Sequence, residues 1–92
     1  MIHIDWSVLI TKAMKDAEIA AERIRIESAV EVVWVVEELE LIADQLLALE
    51  DDDPTALPGT TREWRDYRIG VRAWKTGNED FPDMTKRPVR PS

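Results

Sequence analysis

The sequence contains no cysteine and only one histidine, His3, in 92 residues. Without cysteine the chain can form neither a disulfide framework nor a thiolate metal site, and one histidine leaves little for imidazole catalysis. It also lacks any run of about 18 apolar residues that could span a membrane, and its first residues lack the basic start of a signal peptide. We therefore expect a cytoplasmic protein with no membrane association, no cofactor and no metal.

Basic residues are scarce in the first two thirds of the chain. Residues 1–59 carry a net charge of −10 and residues 60–92 a net charge of +3, which gives −7 overall. An acidic chain of this kind is a poor ligand for phosphate groups, so we expect no nucleic-acid partner. Because 45% of the residues are apolar, the chain should fold, and its length allows one small domain over residues 1–92.

Glycine, proline and asparagine are absent from Asp5 to Glu50, which predicts a long helix over about residues 5–50, with Asp5 as its N-cap. The β-branched stretch from Val30 to Val36 would suit a strand, but its flanks favour a helix. The prediction is therefore an all-α chain.

Apolar residues in this helix recur at steps of three and four, as in the seam of a coiled coil. The two seams join only through Ser28, by consecutive steps of four, which predicts either local unwinding or a break there. The downstream seam consists of Val32, Val35, Leu39, Ile42, Leu46 and Leu49, and the upstream seam of Ile10, Ala13, Ala17, Ala20 and Ile24.

Three aspartates followed by Pro54 should end the first helix, because proline cannot continue it. Residues 51–60 then form a linker, and Thr60 with Glu63 makes a capping box that starts a second helix. The aromatic spacing and Gly77 predict that this helix spans about residues 61–76. The proline-rich tail, residues 77–92, should be extended or disordered.

The second helix carries an aromatic stripe that must be buried, and the nearest cover is the downstream seam. We therefore expect an antiparallel helical hairpin, stabilised by ion pairs between its two helices. The short helix cannot cover the upstream seam, which predicts a homo-oligomer, most simply a dimer. The expected ion-pairing residues are Arg65, Arg68, Arg72 and Lys75 on the second helix and Glu37, Glu38, Glu40 and Asp44 on the first.

The acidic clusters do not have the spacing of metal sites. Asp51, Asp53 and Thr55 lack the glycine and the distal glutamate of a calcium loop. The glutamate pairs Glu18/Glu22 and Glu27/Glu31 lack the Glu-x-x-His pattern of di-iron bundles. No nucleophile stands with a base and an orienting group either, so we expect no catalytic residues and no enzyme activity.

The last third of the chain carries a recognisable signature. The stretch from Trp64 to Trp74, followed by Phe81-Pro82 and a basic, proline-rich tail, resembles the C-terminal region of bacteriophage tail assembly chaperones and tail fibre assembly proteins. Those proteins typically end with a tryptophan, a tyrosine–arginine pair three residues on, a short helix and an aromatic–proline segment.

The resemblance implies a non-enzymatic chaperone that binds a phage tail or tail-fibre protein in the host bacterial cytoplasm. Two alternatives stay open: a structural component of a phage particle, built on an oligomeric long helix, and a small acidic regulatory or antitoxin-type protein. The residues expected to build or present the partner-binding surface, unless they form only the hairpin core, are Trp64, Tyr67, Arg68, Trp74 and Phe81.

Overall fold

The computed structural model describes residues 6–92, and within that range the chain is all-helical, without strands. Helix α1 spans Trp6–Glu50 and is unbroken at Ser28, whose hydroxyl donates to the carbonyl of Ile24 (2.7 Å). The β-branched stretch 30–36 is helical, as its flanks indicated. The proposed N-cap Asp5 and the histidine His3 lie outside the described residues.

Helix α1 ends where the aspartates begin. Asp52 has a positive φ of 53°, a conformation that aspartate tolerates better than most residues. The carboxylate of Asp53 accepts hydrogen bonds from the amide and the hydroxyl of Thr55, at 2.8 and 2.7 Å. Further along, the linker is tied back to α1 because the amide of Leu57 donates to Gln45 Oε1 (2.8 Å).

Helix α2 spans Thr61–Arg72 and begins with the predicted capping box. The amide of Glu63 donates to Thr60 Oγ1 and the amide of Thr60 donates to Glu63 Oε1, each at 3.1 Å. The helix ends four residues earlier than the predicted boundary near residue 76. Trp74 leaves the helix after its amide bonds the carbonyl of Val71, and its side chain packs into the core instead of continuing the helical stripe.

The two helices pack as an antiparallel hairpin. Tyr67 contacts Glu38, whereas Trp74, just beyond the end of α2, contacts Glu31, which lies earlier in α1. The buried face of α1 is rotated from the predicted seam, so that Val32 is 56% exposed and polar residues take part in the packing. The core residues are Ile42, Trp64, Tyr67 and Val71, with Trp34, Val35, Leu39, Leu41, Leu46 and Leu49 packed around them.

Residues 77–92, which we call the strap, are irregular but not detached. A 3-10 turn at Met84–Lys86 is their only helical element, and beyond it the strap lies against α1 and α2. Arg87 and Arg90 form ion pairs with Glu31 and Glu38 of α1. The alternative of a disordered tail is therefore wrong in this structure, because buried carboxylates on α1 hold the strap.

The expected ion pairs between α2 and α1 do not form within residues 6–92. The buried acid Glu38 pairs with Arg90 of the strap instead of an arginine of α2, and Arg62 pairs with Asp66 inside its own helix. The basic residues of the last third thus neutralise the buried glutamates of α1 through the strap and not through α2.

The packed region ends near Glu31, so the first half of α1 projects from it. The molecule measures 79 × 20 × 16 Å. We call residues 6–30 the arm and residues 31–92 the head; every residue of the arm except Ser28 is exposed. The arm therefore presents an apolar helix surface that the described part of the chain does not cover.

Replacing either of two glycines of the head by alanine should change the stability of the fold, in opposite directions. Gly59 has φ +120°, and a Cβ there would lie 2.6 Å from Pro91 Cβ, so Gly59→Ala should destabilise the fold by about 2 kcal/mol or more. A Cβ on Gly70, inside α2, would meet Pro88 at an ordinary 3.7 Å, so Gly70→Ala should stabilise it by about 0.5–1 kcal/mol. Urea unfolding of both variants tests this, and equal effects would contradict the described path of the strap.

Candidate partner-binding groove

Two glutamates of α1 are buried at the centre of the head. Glu31 is 1% exposed and Glu38 is 3% exposed. Each accepts a hydrogen bond from an aromatic side chain: the Trp74 indole donates to Glu31 Oε1 (3.1 Å), and the Tyr67 hydroxyl donates to Glu38 Oε1 (2.7 Å). Buried carboxylates are costly unless they are paired and hydrogen-bonded, and these contacts are one part of that compensation.

The strap supplies the other part. Arg87 forms two parallel bonds to Glu31, both 2.6 Å, and its guanidinium lies 4.7 Å from the centre of the Trp34 ring. Arg90 pairs with Glu38 in the same two-pronged way, with one bond of 2.9 Å. Bidentate pairs between arginine and carboxylate fix orientation as well as charge, so the two pairs define the course of the strap.

The spacing of these residues explains why the pairing works. Two glutamates seven residues apart on a helix are separated by about 10.5 Å. Arg87 has φ −55° and ψ 148°, close to polyproline II geometry, in which three residues span about 9.3 Å. The prolines at 88 and 91 favour this extended form, so the Arg-x-x-Arg spacing of the strap matches two turns of α1.

The pairing changes the acidity of the groups involved. The hydrogen bonds from Arg87 lower the pKa of Glu31, against the opposing effect of burial. Arg90 lowers the pKa of Glu38 in the same way. Burial, and next the hydrogen bond to Glu38, raise the pKa of Tyr67. The carboxylates therefore stay ionised and the phenol stays protonated through the neutral range.

Tyr67 is the single tyrosine of the chain, so its ionisation can be followed directly. Because its pKa is raised, we expect no tyrosinate absorbance near 295 nm at pH 10, the ordinary midpoint, while the chain is folded. Unfolding the chain in urea should restore an ordinary titration. A midpoint near pH 10 in the folded protein would place the hydroxyl in solvent and contradict the contact with Glu38.

A groove opens where the arm enters the head. Its apolar surface comes from Ile26 and Val30 of α1 and from Phe81, Pro82 and Met84 of the strap, and it encloses about 590 Å³. Five acidic residues line it, against the single lining base Lys86; Glu31 is paired with Arg87, and Asp80 with Lys86 (3.5 Å). The five acids are Glu27, Glu31, Glu79, Asp80 and Asp83.

The expected partner-binding residues divide between the core and this groove. Trp64, Tyr67 and Trp74 are 1%, 6% and 3% exposed, so they build the hairpin and are closed to a partner. Arg68 is half-buried beside Leu46 and Glu50 and does not line the groove. Phe81 packs its edge on Trp74, with ring centres 5.6 Å apart, and is the one that lines the groove.

Comparison of the chain with protein-family models, curated proteins and solved structures finds no match in any of the three. The resemblance of the last third to tail assembly proteins therefore rests on the stretch from Trp64 to Trp74, on Phe81-Pro82 and on the basic, proline-rich tail alone.

Residues 6–92 contain no group of three or more histidine, cysteine, aspartate or glutamate side chains placed to hold a metal ion. No helix in that range is long and apolar enough to cross a membrane. The features that distinguish the surface are thus the groove and the bare arm.

Several groove residues were not among the expected site residues. Ile26 and Val30 belong to neither predicted seam, and they lie one helical turn apart on another side of α1. A second apolar stripe through Ile19, Ile26, Val30 and Val33 was the available signal, since these residues recur at steps of three, four and seven. The acidic rim follows from the cluster at residues 79–83, which sequence spacing alone does not place beside Glu27.

Proposed function

We propose that this chain is a non-enzymatic assembly chaperone that holds a phage tail or tail-fibre protein in the cytoplasm of the bacterial host. The observation that carries this proposal is the groove, where an apolar surface with an acidic rim joins the exposed stripe of the arm. Exposed apolar surface rimmed by polar groups is typical of protein-interaction sites.

The chemistry of the groove favours a particular kind of client segment. Its apolar part would take a bulky side chain, and the three of its five acids that form no ion pair within residues 6–92 would favour lysine or arginine beside that side chain. Along the arm, Ile19, Ile26 and Val30 are each more than half exposed, so an amphipathic helix could extend from the groove along this stripe. The client segment is therefore amphipathic and basic.

The tail-assembly assignment comes from the resemblance, and the structure supplies a role for the residues that carry it. Trp64 and Tyr67 build the head, and Trp74 positions Phe81 at the groove. These aromatic residues would then be needed for a stable head that presents a binding groove. Such a role fits a factor that binds a client and catalyses no reaction.

A structural component of a phage particle is the second candidate, favoured by the 79 Å length of the molecule. Its long helix would remain in the assembled particle, whereas a chaperone would be released. Mass spectrometry of purified particles separates the two: a chaperone is absent from them, and a structural component is present at a fixed ratio to the tail proteins.

Co-expression with a tail-fibre or tape-measure protein encoded by a neighbouring gene tests the chaperone proposal. We expect the full chain to raise the soluble yield of that client and to copurify with it. The double variant Ile26→Glu/Met84→Glu adds charge to two exposed groove residues, 56% and 63% exposed, and should abolish both effects.

The matched control is the double variant Leu47→Glu/Ile69→Glu, which adds the same two charges at residues that are 58% and 67% exposed and outside the groove. It should behave like the unaltered chain, and circular dichroism should show the same helicity for all three proteins. A client that is soluble without this chain, or a groove variant that still copurifies, would overturn the proposal.

A further inference from the structure

The arm leaves more surface exposed than a compact monomer of this size does. The chain exposes 7414 Å², about 1,900 Å² more than the roughly 5,500 Å² expected for a folded monomer of 10.6 kDa. A standard protein interface buries about 800 Å² on each partner. The excess is thus large enough for a stable interface along the arm.

One face of the arm continues an interface that already exists. In an ideal helix the upstream seam, from Ile10 to Ile24, lies on the same side of α1 as Ile42, which α2 covers. The face is covered from residue 31 onward and uncovered before it. This face is distinct from the stripe that leads into the groove.

The length of the uncovered face selects a geometry for a second copy. Two arms packed antiparallel cover each other completely when the midpoint of residues 6–30, residue 18, lies at the twofold axis. Knob-into-hole packing of the seam allows registers that differ by one heptad. The register nearest this midpoint puts Ala17 opposite Ala20 of the second copy and Ala13 opposite Ile24, with the axis between residues 18 and 19.

Charges beside the seam distinguish this register from its neighbours. Asp16 and Arg23 flank the seam on one side, and neither forms an ion pair within residues 6–92. In the antiparallel register above, Asp16 of each copy lies beside Arg23 of the other, which gives two opposite-charge contacts. A shift of one heptad either way would bring Asp16 beside Asp16, or Arg23 beside Arg23.

Two arms packed in parallel would leave the charges of Asp16 and Arg23 without partners on the second copy. There Asp16 would lie beside Ala21 of the second copy and Arg23 beside Ser28, so neither charge would find a partner. The acidic heads would also lie at the same end, where their like charges repel.

We infer that the arm binds the arm of a second copy of this chain, antiparallel and in the register that pairs Asp16 with Arg23 of the second copy. The heads then lie at opposite ends of the dimer. The inference concerns this chain alone, so it stands or falls independently of the client proposed above.

Charge reversal tests the pairing in sedimentation equilibrium of the full chain. Asp16→Arg places four like charges at the two contacts and should weaken the dimer about tenfold or more. Arg23→Asp should do the same, and the double variant Asp16→Arg/Arg23→Asp should restore the dimer to within about threefold. The control Glu18→Arg makes the same charge change away from the seam and should retain the dimer.

Spin labels test the orientation. The chain has no cysteine, so Ala29→Cys, an exposed site outside the seam, would carry the only label. The antiparallel register separates the two labels by about 30 Å along the axis, whereas a parallel pair keeps them level, separated only across the two helices, whose axes lie about 10 Å apart. A monomer at every concentration, a short label distance, or a double variant as weak as the single ones would overturn the inference.

Discussion

Replacing Trp64 by alanine should lower the free energy of unfolding by about 3–5 kcal/mol. The side chain is 1% exposed, and its ring packs edge-on against Tyr67 with centres 5.8 Å apart. Its indole N–H donates to the carbonyl of Pro58 (3.1 Å), so the substitution removes packing and leaves a linker carbonyl without its donor. For a domain of this size the loss approaches the whole stability.

Denaturant unfolding followed by circular dichroism measures the effect. Trp6→Ala provides the matched control, since Trp6 is 66% exposed in the arm and its removal should change the stability of the head by less than about 0.5 kcal/mol. If the two variants unfolded at the same urea concentration, the aromatic stripe of α2 would have to lie on the surface.

Arg87→Ala should lower the free energy of unfolding by about 3 kcal/mol, because it leaves the buried carboxylate of Glu31 without its cation. Arg90→Ala should cost less: the Arg90 side chain is 49% exposed against 23% for Arg87, so solvent screens its pair more strongly. The control is Arg65→Ala, at an exposed position of α2 that forms no ion pair within residues 6–92. It should change the free energy of unfolding by less than about 0.5 kcal/mol.

The effect of Arg87→Ala should also depend on pH. The pKa of Glu31 is lowered in the folded chain, so its contribution to stability is complete above the ordinary glutamate pKa of about 4.3. The contribution is lost as the pH falls below that value through the lower pKa of the folded state. The variant and the unaltered chain should therefore differ at pH 7 and converge in acid, and a constant difference would contradict the ion pair.

The parts of the fold that sequence predicted are those set by local rules. The absence of glycine and proline before Glu50 fixed α1, and the capping box of Thr60 and Glu63 fixed the start of α2. The end of α2 near Arg72 was not predictable in this way, because Trp74 leaves the helix to reach Glu31, a contact between residues 43 positions apart.

The burial of Glu31 and Glu38 was missed for a related reason. A search for apolar seams passes over Glu31, Glu38 and Gln45, although these polar residues recur every seven positions and all three bind the returning chain. Their pairing becomes visible only when the spacing of Arg87 and Arg90 is compared with two turns of α1. The groove depended on this pairing as well, since it forms only when the strap is held in place.

The pairing of Glu31 with Arg87 also has a consequence for synthesis of the chain. The two residues are 56 positions apart, so at ribosomal rates of about 5–20 residues per second the glutamate is made roughly 3–11 s before its arginine. During that interval the nascent helix carries an uncompensated charge on the face that must later be buried. Closure of the head is thus ordered in time, because the charge of Glu31 can be compensated only after residue 87 has been made.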